Sequence, residues 1–128
     1  MKILNKILLA AMVGASMGVF STSAMAEASE GRIVYAPKEA IDLTIKKIET
    51  ALATATTGGD AETIATQAKD ALDMSKEINA NDKVDIARSR ANNHLKAARS
   101  AAKAGNIPEA EQHLRAGLQA FEALKGLL

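Results

Sequence analysis

The run Gly59-Asp-Ala-Glu-Thr-Ile-Ala-Thr-Gln-Ala-Lys-Asp-Ala-Leu72 has a second version, Gly105-Asn-Ile-Pro-Glu-Ala-Glu-Gln-His-Leu-Arg-Ala-Gly-Leu118, set 46 residues further on. Each follows an alanine-rich stretch with helical periodicity. The matching positions are turn formers, cap formers and apolar positions at helical spacing. This is the signature of one helical hairpin used twice, and it restricts the chain to an all-α architecture built from two similar halves. A tetratricopeptide array would repeat at about 34 residues and use more copies.

The periodicity predicts four helices. Pro37 suits a first helical position, where its missing N–H has no intrahelical partner to lose. Ile41, Ile45, Ile48, Leu52 and Ala55 then recur at intervals of three and four up to Gly58-Gly59. Asp60 caps a second helix carrying Ile64, Ala68, Ala71, Ser75 and Ile78 on one face, and Asn79-Ala-Asn81-Asp82 breaks it. The third helix starts at Asn81 or Asp82. It sets Ala91, Leu95, Ala98 and Ala102 against a polar side of Arg88, Asn92, Lys96, Arg99 and Lys103, and ends at Gly105. Asn106 and Pro108 open the fourth, with Ile107, Ala110, Leu114, Gly117, Phe121, Leu124 and Leu128 in register. Short connections favour antiparallel neighbours, so the expected fold is an antiparallel up-down-up-down four-helix bundle over 37–128.

The remainder is read as targeting sequence and leader. Lys2 and Lys6 precede an apolar run from Ile7 to Phe20, and Ala24-Met25-Ala26 offers a small-residue cleavage site. Residues 1–26 are therefore expected to be a secretory signal peptide, 27–36 a polar leader, and the destination a bacterial periplasm. The apolar run falls short of the roughly 20 residues a membrane span requires. The chain has no cysteine, which removes disulfides and the Cys-x-x-Cys-His haem attachment from consideration. Without Lys2 and Lys6 its 16 basic and 15 acidic side chains almost cancel, so no global field recommends nucleic acid. The residual charge is unevenly divided: residues 27–81 are net acidic and 82–128 net basic, an arrangement that allows weak self-association.

No phosphate-binding loop, Gly-x-Ser-x-Gly, His-Glu-x-x-His or catalytic carboxylate pair is present, so the chain reads as non-enzymatic. The candidate chemistry rests on His94 and His113, one in each helix of the second hairpin, because imidazole is a common ligand for late transition metals. Glu109 precedes His113 by four residues and shares its face, where a carboxylate could co-ligate or orient the ring. Arg90 takes the equivalent place before His94. From the turn at Gly105, helical rise puts the two histidines about 6 Å apart in depth, which opposes a simple two-histidine chelate. The competing reading is that both flank a helix seam without a ligand. Met74 is expected to fill the core. A b-type haem held by His113 and Met74 is disfavoured by their different depths, so no haem is expected.

Asn93-His94-Leu95, Ala104-Gly105-Asn106 and Ala110-Glu-Gln-His113-Leu114, together with Ala68-Lys69-Asp70-Ala71-Leu72 in the first hairpin, resemble the small metal-binding protein family of bacterial periplasms. The resemblance spans the chain beyond the signal segment. It implies an exported bundle of two like hairpins that binds or buffers divalent transition metals, copper among them, with His94 and His113 at histidine positions of the family. Gln67 and Ser75 stand where that family tends to carry further histidines. The functional alternative is a non-enzymatic helical interaction or stress protein with no metal site.

Overall fold

The computed structural model describes residues 33–128. The expected signal peptide and the first part of the leader lie outside them. Residues 35–128 form one compact unit containing four helices: α1, Pro37–Thr56; α2, Ala61–Ser75; α3, Asp82–Lys103; and α4, Ile107–Leu124. A 3-10 turn follows at Lys125–Leu127, and there is no strand among the described residues.

The helix starts follow their predicted caps. Ala36 is extended, as a residue before proline must be, and Pro37 opens α1. The side chains of Asp60, Asn81 and Asn106 accept from the backbone N–H of Thr63, Val84 and Glu109, at 2.6, 3.0 and 3.2 Å. The turns that end α1 and α3 differ in length. Gly105 adopts φ +80°, which lets Asn106 N–H donate to Ala101 O at 2.8 Å, and Asn106 then caps α4 at once. Gly58 also adopts φ +80°, but Gly59 intervenes before the Asp60 cap. A Cβ on Gly59 would collide with the Thr54 side chain and lie 2.8 Å from its carbonyl oxygen, so this extra residue must be glycine.

That one-residue difference splits the repeat into two registers. In α2, the turn after it and α4, the 46-residue offset pairs buried positions: Ile64 with Ala110, Ala68 with Leu114, Ala71 with Gly117, Ser75 with Phe121 and Ile78 with Leu124. In α1 and α3 the offset becomes 47, pairing Thr44 with Ala91, Ile48 with Leu95, Ala51 with Ala98 and Ala55 with Ala102. Several pairs in α2 and α4 differ in size, Ser75 against Phe121 most of all, whereas Ala51 and Ala98, and Ala55 and Ala102, are alike.

Each helix packs against two neighbours in the cyclic order α1, α2, α3, α4, with little contact across the diagonal. The shared core includes Ile41, Ile48, Ile64, Leu95, Leu114 and Phe121, all fully buried. Met74 packs against it from a partly buried position, as expected of a gap filler. At one end of the helices Lys125 reaches Asp42 on α1 at 2.9 Å, and Asn81 Nδ2 donates to Leu127 O at 3.2 Å.

Two details of the helical reading change. Ile78 is buried as predicted, yet α2 stops at Ser75, and Ile78 is held in the following turn by its N–H to Ser75 O. Leu128 does not continue the apolar face of α4: the helix ends at Leu124 and Leu128 is half exposed. No helix among the described residues is long and apolar enough to cross a membrane.

Candidate metal centre and the neighbouring polar seam

Glu109 and His113 are brought together by α4 itself. Four residues apart, they lie one turn above the other, with Glu109 Oε1 3.6 Å from His113 Nε2. The second carboxylate oxygen of Glu109 accepts from Asn106 Nδ2 at 2.8 Å, so the residue that caps α4 also steadies the carboxylate. The His113 side chain is about one-third exposed and that of Glu109 about half. Water and solutes therefore reach both donors.

His94 comes from the facing helix. A Cβ built on Gly117 would lie 3.5 Å from His94 Cβ and 3.0 Å from Leu95 Cδ2. Gly117 follows His113 by one turn on the same face of α4, so both histidines border the α3–α4 seam and are offset by about 6 Å of helical rise. Gly117 eases the close approach, because even a methyl there would press on Leu95. The seam thus carries Glu109, His113 and His94 in succession. Among the described residues, however, no three His, Cys, Asp or Glu side chains converge tightly enough to surround one ion. Two donors are adjacent, and the third lies a turn away.

The polar side of α3 is not a uniformly solvated face. Arg88, Asn92 and Arg99 are half-buried against α2. Ser75, fully buried, has its Oγ 2.7 Å from Leu72 O and 2.8 Å from Asn92 Oδ1. One hydroxyl proton cannot serve both acceptors; with the Asn92 amide turned over, Nδ2 donates to Ser75 Oγ while the hydroxyl donates to Leu72 O. Arg88 extends the cluster, donating to Ser75 O at 3.4 Å and lying 3.7 Å from Asp85. Sequence reasoning placed Ser75 correctly on the inward face of α2. It missed the link to Asn92, because periodicity within one helix does not reveal which residue stands opposite.

Further along this seam Lys69 and Lys76 both bind Asp73, at 2.6 and 3.3 Å, and the Lys69 ammonium holds that carboxyl below the ordinary aspartate range. Asp42 is likewise lowered, first by Lys38 and then by Lys125, while Asp42 in turn raises Lys125. These pairs are exposed and screened, and they contribute little to stability.

The chain matches no family model, no curated protein and no solved structure.

Proposed function

We propose that the chain is an exported, non-catalytic metal-binding protein that takes up or buffers a divalent transition metal, copper among them, on the α3–α4 seam. The four helices follow an antiparallel up-down-up-down path in this reading, and residues 1–26 direct export to a bacterial periplasm. The observation that carries the proposal is the 3.6 Å approach of Glu109 Oε1 to His113 Nε2, with His94 one turn further along the same seam. A neutral imidazole and a carboxylate form a mixed N,O donor pair, and the Irving–Williams order makes Cu(II) the tightest divalent occupant of such a pair. His113 and Glu109 are the primary ligands; a rotamer change at His94 would add a second imidazole, and water would fill the other positions. A site that gathers its third ligand only on binding loses ordering entropy, so uptake is weak and reversible, as suits a buffer.

Calorimetric titration of the folded protein with Cu(II), Ni(II) and Zn(II) tests this. The expected result is one equivalent of Cu(II) bound most tightly, lost in the His94→Ala, His113→Ala double variant. His113→Ala alone should cost more affinity than His94→Ala alone. Undiminished uptake by the double variant would remove the histidines from the site.

A further inference from the structure

The seam between α2 and α3 forms a continuous groove, made of two adjoining depressions of about 520 and 570 Å³ that share Lys69, Arg99 and Lys103. Five cations line it: Lys69 from α2 and Lys76 just past its end, and Lys96, Arg99 and Lys103 from α3. The carboxylates are Glu62 and Asp73, and Asp73 is already held by Lys69 and Lys76. Lys96, Arg99 and Lys103 make no hydrogen bond or ion pair among the described residues. Between the cations the lining mixes apolar Ala65, Leu72 and Ala102 with uncharged polar Thr66, Asn92 and Ser100. The positive charge therefore does not follow the hairpins, since the net-acidic first hairpin supplies one wall of this basic groove.

We propose that this groove binds an extended acidic segment of a partner protein, independently of metal uptake on the α3–α4 seam. Arg99 and Lys103 are about 6 Å apart along α3, close to the roughly 6.6 Å between same-face side chains of an extended chain. Alternate Asp or Glu side chains would meet these two cations in turn, and Lys96 would take a carboxylate at the end of the run. Arg99, half-buried, offers a planar fork to a carboxylate. Ala65, Leu72 and Ala102 accept the small or aliphatic residues between, and Thr66, Asn92 and Ser100 offer hydrogen bonds to the peptide backbone. Other polyanions fit less well. A single-stranded nucleic acid would call for aromatic stacking platforms, and none lines the groove. A membrane surface would call for large exposed apolar side chains beside the cations on a convex face.

Fluorescence anisotropy with a labelled alternating Glu-Ala dodecapeptide and the full folded protein provides the test. Binding is expected at about 20 mM salt and should weaken severalfold at about 200 mM. Lys96→Glu with Arg99→Glu and Lys103→Glu should weaken it about tenfold or more. The milder Lys96→Gln, Lys103→Gln variant, checked by circular dichroism, replaces the triple variant if that one does not fold. A matched reversal of Lys46, Lys47 and Lys83, which are exposed and outside the groove, should cost much less. Equal losses from the two reversals would overturn the proposal, as would no peptide binding at low salt. Tighter binding to phosphatidylglycerol vesicles or to a dodecanucleotide than to the peptide would also overturn it.

Discussion

Gly117→Ala is the substitution whose sign the structure decides against local propensity. In a helix interior the change from glycine to alanine is favourable by about 1 kcal/mol. Here the new methyl would lie 3.0 Å from Leu95 Cδ2 and 3.5 Å from His94 Cβ. Leu95 is fully buried, so its methyl cannot swing into solvent and must give by a few tenths of an ångström within the packed core. Overpacking of this kind costs about 1–3 kcal/mol, so a net loss of about 1 kcal/mol is expected. In a folding unit of this size that lowers Tm by about 4–8 °C. The assay is chemical and thermal denaturation of the wild type, Gly117→Ala, Leu95→Ala and the double variant. Leu95→Ala alone should cost about 2–5 kcal/mol. In the Gly117→Ala background it should cost about 1 kcal/mol less, because the added methyl enters the vacated space. A Gly117→Ala protein more stable than wild type, or strict additivity with Leu95→Ala, would refute the close-approach argument. Ala71, the repeat partner of Gly117, is fully buried and carries the same methyl, so the constraint belongs to the α3–α4 seam and not to the repeat position.

Two further outcomes follow from the caps and the polar seam. Asp60 is held below its ordinary pKa of 3.8 by Thr63, through its side chain first and its backbone N–H second. Its contribution is therefore present above the ordinary value and is lost as pH falls through the lowered one. Asp60→Asn keeps the cap acceptor without the titration, so the stability advantage of wild type over this variant should shrink across that acid range, as followed by urea denaturation at successive pH values. A difference that stays constant down to about pH 2 would contradict the assignment. Ser75→Ala strands the half-buried Asn92 amide and should cost about 1–3 kcal/mol. Adding Asn92→Leu should recover part of that loss, whereas no recovery would mean that Asn92 is satisfied elsewhere.

Much of the helical framework was legible because its causes are local. Pro37, Asp60, Asn81 and Asn106 act on backbone groups within a few residues, and Gly58 and Gly105 supply a positive φ that other residues adopt only under strain. The inward positions Ile41, Ile48, Ile64, Leu95, Leu114 and Phe121 follow from helical spacing alone. The candidate site was legible in part: Glu109 and His113 share one helix, so their spacing already places them in reach. Leu128 was misread because an apolar residue in register continues a pattern even after the backbone has left the helix.

The sequence by itself determined the number of helices, their caps and the inward face of each, since these depend on covalent neighbours and a fixed period. Only the tertiary structure decided which face meets which. It set His94 beside Gly117, tied Ser75 to Asn92, and gathered lysines from the acidic hairpin with cations of the basic one into a single groove. Helical period ranks residues around one axis, whereas a seam between two helices depends on their relative rotation and depth. Both are set by how the side chains of facing helices interdigitate, as Leu95 does against Gly117.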